Sequence, residues 1–207
     1  MQRARQPHQK AARREAILSA ALDLLAEIPF SDISMNLVAE RAGLVKGTLY
    51  LYFATREALF LDVLRGQLHA WLWDLESGLE GLPRTGRAAA AAALIAESLA
   101  SRPRLRGLMA ALPVLLGREL PESAALAFRN ELQARTEAMG SRLERALGSL
   151  APGQGAHLFF QVQAMAAGLQ VLSERSPQGA DPEQELQAFL QAQLEDRRRS
   201  RSAAKPA

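Results

Sequence analysis

No cysteine occurs anywhere in the chain. That removes disulfide staples, thiolate metal sites and thiol nucleophiles, and it fits a reducing compartment. Histidine is nearly as scarce. His8, His69 and His157 are far apart, and none is paired at H-x-x-x-H or H-E-x-x-H spacing, so an imidazole metal centre is not expected. Neighbouring carboxylates such as Glu183 and Glu185 diverge on a helix, and no phosphate-cradling glycine loop or nucleophile elbow is present. No enzyme, metal or cofactor is therefore expected. Long apolar runs are missing as well. The most apolar stretch, HLFFQVQAMAAGLQVL, carries three glutamines and a histidine, too short and too polar to span a bilayer. Asp23 and Glu27 interrupt the apolar residues that follow the basic N-terminus, so no signal peptide is read there. The expectation is a soluble, cytoplasmic chain with no membrane partner.

What the chain does have is a hydrophobic fraction of 48%, enough for a real core, and an uneven charge. Arg3, Arg5, Lys10, Arg13 and Arg14 lie at one end, and Arg197, Arg198, Arg199, Arg201 and Lys205 at the other. That leaves 15 basic residues against all 22 acidic ones between them. Basic ends on an acidic body suit a polyanionic partner, although solubilising tails would look the same.

Apolar residues at Ile17, Leu18, Ala21, Leu24, Leu25 and Ile28 predict a first helix over 11–28, stopped by Pro29. Ser34 is placed to cap a short second helix that ends at Gly43. A third short helix over 45–53 follows, and Thr55 is placed to cap a long fourth one. Beyond the GLPRTG loop, helices are expected near 87–101, 104–118, 122–149, 154–175 and 182–198, with prolines and glycines at the breaks. No alternating run calls for a strand, so the chain reads as all-α.

Aromatics make up only 5% of the chain, yet both tyrosines fall in AGLVKGTLYLYF, residues 42–53. Two short helices joined by a glycine-containing turn follow the plan of a helix-turn-helix. At about 100° per residue, Val45, Leu49 and Phe53 cluster on the core side of the third helix. Lys46 with Tyr50 forms one flanking strip, Thr48 with Tyr52 the other, and Gly47 and Leu51 point furthest out. The tyrosines would also fit as core aromatics with hydroxyls at the surface, but Leu49 and Phe53 already fill the core side. A glycine at an outermost helical position costs about 1 kcal/mol relative to alanine. It makes sense where another surface must approach the backbone, as the major groove of DNA does.

The run SMNLVAERAGLVKGTLYLYFATREAL closely resembles the DNA-binding signature of TetR/AcrR-type transcriptional regulators. The resemblance covers roughly residues 12 to 62 and implies two-domain, all-helical dimers. Their N-terminal three-helix helix-turn-helix is joined through a long fourth helix to a ligand-binding and dimerisation domain. It divides the chain into a DNA-binding domain with a basic arm over 1–54, a regulatory domain over 55–198 and a disordered basic tail over 199–207. Position by position, it implies that Ser34 caps helix 2 and binds a phosphate and that Asn36 reaches a base. Lys46, Gly47 and Tyr50 become major-groove positions, Thr48 and Tyr52 backbone-positioning groups, and Arg56 a phosphate contact. Val45 stands where many members have a small polar residue, and its core-side position predicts no loss of binding. Leu51 departs from the family's polar or aromatic side chains. A thymine-methyl contact and a neutral role both stay open for it.

In the C-terminal half, the uncharged helix over 158–173 is apolar nearly all round and needs burial on two sides. Leu158, Val162, Met165, Leu169 and Leu172 mark one seam, and Leu186, Phe189 and Leu190 of the last helix supply a neighbour. A two-fold four-helix interface with a second copy meets that need, as would the core of a monomer; the resemblance favours the homodimer. The resemblance also implies an effector pocket, with Trp71, Met109, Leu112, Leu116, Phe128 and Met139 as candidate lining, and the sparse charge there suggests an apolar small molecule as ligand. The expected function is a ligand-responsive regulator, a repressor on a palindromic double-stranded operator. A transcriptional activator with the same head, or a protein-binding scaffold, is the alternative.

Overall fold

The computed structural model describes residues 5–175 and 181–203, with side chains over 9–172, 181 and 183–197. Ten α-helices and no strand are found among the described residues. They are α1 (Arg5–Glu27), α2 (Met35–Arg41), α3 (Lys46–Tyr50), α4 (Arg56–Glu80) and α5 (Arg87–Ala100), then α6 (Pro103–Ala110), α7 (Leu112–Leu115), α8 (Glu122–Leu147), α9 (Gln154–Arg175) and α10 (Pro182–Ala203). A single 3-10 turn, Phe30–Asp32, follows Pro29. The fold is all-α, as the sequence predicts.

The chain forms two compact units: residues 1–67 with 111–122, and residues 68–110 with 123–207. The division falls inside α4, not at 54–55, because the first turns of that helix bury Leu59, Phe60, Leu61, Val63 and Leu64 and belong with α1–α3. Phe60 takes Phe30 edge-on, with ring centroids 5.1 Å apart. Asp62 pairs with Arg14 of α1, whose guanidinium also lies 4.9 Å from the Phe53 ring. Ile17, Ala21, Ile33, Val38 and Leu49 complete this core, each at 0% exposure.

Local chemistry sets the short elements of the first unit. Ser34, in extended conformation, caps α2 by accepting the Leu37 N–H on its hydroxyl oxygen at 3.3 Å. Gly43 ends α2 at φ 66°. Around it the Leu44 N–H donates to the Ala39 carbonyl at 2.8 Å and the Gly43 N–H to the Glu40 carbonyl at 3.0 Å. That double closure is a Schellman motif, and its left-handed residue is readily adopted only by glycine. Arg41 clamps both carboxylate oxygens of Glu27, at 2.7 and 2.5 Å. Hydrogen bonding to Arg41 holds the Glu27 carboxyl below its usual range. Thr55 accepts the Ala58 N–H at 3.0 Å and opens α4.

In the second unit α5 packs on α10, and α9 on α6 and α10. Helices α8 and α9 meet backbone to backbone: a Cβ on Gly140 would stand 2.2 Å from the Ala156 nitrogen, and one on Gly155 would stand 2.1 Å from the Gly140 carbonyl oxygen. Glu144 accepts the Gly155 N–H at 2.9 Å and caps the first turn of α9. Arg106 donates to the Leu99 and Ala100 carbonyls, each at 2.8 Å, closing the C-terminus of α5. Burial pushes its guanidinium pKa down, with Asp181 and Glu183 opposing.

Several boundaries depart from the sequence reading, and α3, expected over 45–53, spans only Lys46–Tyr50. The helix expected over 104–118 breaks at Ala111 into α6 and α7, because Pro113 lacks an N–H and its ring clashes with the carbonyl four residues back. Helix α1 starts at Arg5, so the basic arm is helical from there on; Arg3 lies outside the described residues. The tail expected to be disordered from 199 is helical through Ala203, as nothing breaks the helix before Pro206. Arginine is a good helix former, and cations suit a helix C-terminus. Residues 204–207 lie outside the described part.

Candidate nucleic-acid interface

Helix α3 has only five residues, and it is anchored from behind by Leu49 (0% exposed) and Phe53 (4%). A helix so short is not stable alone; the packing of those two residues in the first unit's core is what holds it. Its other side is open. Lys46, Gly47, Tyr50 and Leu51 are exposed, and Thr48 and Tyr52 are less so, Tyr52 being half-buried. The Lys46 ammonium lies 5.9 Å from the Tyr50 ring centroid, so the two share one strip as the helical wheel requires. A Cβ on Gly47 would meet nothing within 4 Å. Since its φ is also ordinary, no feature of the chain itself demands glycine there.

Two concave grooves adjoin α3. The first, about 330 Å3, brings together Ser34, Asn36, Lys46, Tyr50 and Arg56, five of the eight predicted DNA-binding residues. Ser34 and Asn36 are exposed at the start of α2. The Ser34 oxygen accepts the cap bond, so its hydroxyl proton remains available to a phosphate. Arg56 donates to the Ile33 carbonyl and to Glu57 Oε1, each at 3.2 Å, and its guanidinium sits 4.7 Å from the Phe30 ring. These bonds use two of its five N–H donors and tie α4 to the segment that presents Ser34. Sequence reasoning missed this positioning role together with Glu57, buried at 7% exposure; the acidic residue in the first helical turn was the available signal.

The second groove, about 780 Å3, is lined by Lys10 and Arg13 of α1, Gly43 and Leu44 of the turn, and Tyr52. Tyr50 and Tyr52 are two positions apart, about 200° around a helix, and each faces a different groove. From Arg5 onward the basic segment is part of α1, and a helix, about 10–12 Å across, is wider than a minor groove of about 6 Å. Arg14 is engaged by Asp62 and Phe53.

Val45 corrects the helical wheel. It was expected to face the core, yet it is 74% exposed. The residue is the N-cap of α3, in extended conformation at φ −77°, ψ 146°, so the 100° spacing does not reach it.

The remaining candidates fall in different places. Leu158, Val162, Leu186 and Leu190 of the expected dimer seam are buried within the chain, each at 3% exposure or less. They are core of the second unit and leave nothing for a second copy to touch, because the unit's own helices already cover them. Met165, Leu169 and Phe189 are half-buried and Leu172 is exposed. The face that α9 leaves open is His157, Phe160, Ala164, Gly168, Val171 and Leu172. Of the pocket candidates, Leu112 and Leu116 belong to the first unit, and Trp71, Met109, Phe128 and Met139 to the second. Trp71 is fully buried, stacked on Phe159 at 5.2 Å, and donates its indole N–H to Ser98 Oγ at 2.9 Å. A small cleft in the second unit, about 10 Å3, is lined by Leu99, Arg106, Leu169, Glu183 and Leu186, among others, and by none of the pocket candidates. Among the described residues no helix is long and apolar enough to cross a membrane.

A capped α2, a glycine-governed turn and an α3 with an open polar face define a helix-turn-helix protein with a second, wholly helical unit. Comparison with known proteins agrees over most of the chain. Residues 17–63 match the model of bacterial regulatory proteins of the tetR family, and residues 65–196 that of the tetracyclin repressor-like C-terminal domain. The chain belongs to the tetR family of bacterial regulatory proteins. It is 42% identical over 66 residues to the HTH-type transcriptional regulator RutR of Escherichia coli, a match spanning 32% of this chain and 31% of RutR. A transcriptional regulator from Rhodococcus is similar in fold, with a TM-score of 0.62 at 22% identity over 90% of this chain and 96% of the other. A putative regulator from Pseudomonas aeruginosa gives 0.64 at 18% identity over 96% and 95%.

Proposed function

We propose that the chain is a dimeric, ligand-responsive repressor whose α3 enters the major groove of a palindromic operator. The observation that carries this reading is the pair of grooves beside α3. Each holds a tyrosine and at least one basic side chain; Lys46 and Tyr50 of α3 line the first, and Leu44 and Tyr52, which flank α3, line the second. Two sugar-phosphate backbones border a major groove, and a reading helix needs positioning contacts to them as well as base contacts. Ser34 and Arg56 serve one backbone, Lys10, Arg13 and Tyr52 the other, while Lys46 reaches guanine O6 and N7. Thr48 adds a backbone hydroxyl, and Asn36 reaches a base at the groove edge.

The second copy docks on the open face of α9. Phe160, Val171 and Leu172 are apolar and exposed there, at 62%, 36% and 64%, and Gly168 has open space over its backbone. A shared face of this kind makes an isologous contact. Two reading heads at fixed spacing then match a two-fold operator. An apolar effector held by the second unit favours a dimer state in which the heads are mis-spaced, and its differential affinity for the two states sets the response.

The test is a salt titration of full-length protein on duplexes selected from a randomised library. The reading requires affinity that falls steeply and log-linearly with salt, on a sequence with two-fold symmetry. A protein-binding scaffold shows no salt-dependent DNA affinity. In a reporter assay on the selected site, rising transcription instead of falling would make the protein an activator.

A further inference from the structure

Val45 and Leu51 are the two most exposed large apolar side chains described, at 74% and 80%. Single exposed aliphatics are ordinary on protein surfaces, but these two bracket one five-residue helix. Val45 is its N-cap and Leu51 its C-cap. Extended backbone swings Val45 off the helix, and Leu51, two positions past the buried Leu49, points away from the core. The rest of that exposed surface is Lys46, Gly47 and Tyr50. Hydrogen bonding from it is therefore confined to one ammonium and one phenol, with an aliphatic group at each end.

We propose that Val45 and Leu51 are specificity-determining residues that read the C5 methyl groups of thymines. The inference rests on the DNA-binding reading above. Among the features of the major groove, the thymine methyl is the apolar one; the others are hydrogen-bond donors and acceptors. An aliphatic side chain gains by covering that methyl. Set against the cytosine amino group or the guanine acceptors, it strips water and offers no partner, which is unfavourable. The same two residues thus favour thymine and disfavour a G·C pair at the positions they reach. They divide the labour with Lys46, whose ammonium suits guanine.

The experiment uses a duplex selected by the full-length protein from a randomised library. Each thymine is then replaced in turn by uracil, which removes the methyl and keeps every hydrogen-bonding group. Wild type, Leu51→Ala and Val45→Ala are titrated on each duplex, and circular dichroism melting checks that the variants fold. Wild type is expected to lose about fourfold in affinity, about 0.8 kcal/mol for one buried methyl, at two positions in a half-site. Leu51→Ala should erase the loss at one position and Val45→Ala at the other. Undiminished wild-type affinity for a duplex with every thymine replaced overturns the inference and leaves DNA binding standing. Losses that persist unchanged in both variants overturn it as well. Failure of the wild type to select any duplex overturns this inference and the DNA-binding reading together.

Discussion

Lys46 and Tyr50 are exposed and share one strip outside the core, so they separate function from stability. Lys46→Ala and Tyr50→Ala should each weaken operator binding by about 1–3 kcal/mol with an unchanged thermal melt. Electrophoretic mobility shift and calorimetry read the two quantities, and wild-type affinity in both variants would place the reading surface elsewhere. Residue by residue, much of this surface was legible. The spacing of Leu49 and Phe53 identified the buried side of α3 because a regular helix has a fixed period. Val45 was misjudged for the complementary reason: the residue before a helix has its own backbone angles. The role of Arg56 was half legible. Its place at the start of α4 was plain, but its bond to the Ile33 carbonyl joins residues 23 apart, and no local pattern reports that.

Capping and close approach decide the elements. Ser34, Gly43 and Thr55 are punctuation that any chain would read in the same way, since each satisfies orphan backbone groups at a helix end. The starts of α2 and α4 accordingly fell close to expectation. Gly140 is different. In sequence it is one glycine inside a long helix, and only the crossing of α8 with α9 turns it into a requirement. Gly140→Ala should destabilise the second unit by about 3 kcal/mol, the upper range for overpacking, because its Cβ meets backbone that has no rotamer to yield. Denaturant unfolding would check this; a loss below about 0.5 kcal/mol would mean that the helices part easily.

For the whole molecule, the open face of α9 is the property with most consequence. Phe160→Glu with Leu172→Glu should convert the proposed dimer to a folded monomer in sedimentation experiments. Val162→Glu should instead unfold the chain, since that side chain is buried at 0% exposure. A persistent dimer in the double variant would move the interface off α9. The seam expected from the sequence runs through Leu158 and Val162, which the chain itself covers. An uncharged helix that is apolar all round must be buried twice, but composition cannot say which face meets its own chain.

The sequence by itself determined the helical class, most of the places where helices start and stop, and the buried side of α3. Those follow from periodicity, capping and backbone angles, which act over a few residues. Tertiary structure alone decided that Lys10 and Arg13 share a groove with Tyr52, and that Phe160, not Leu158, is left uncovered. Burial is a relation between segments distant in the chain, so it exists only once the helices have packed.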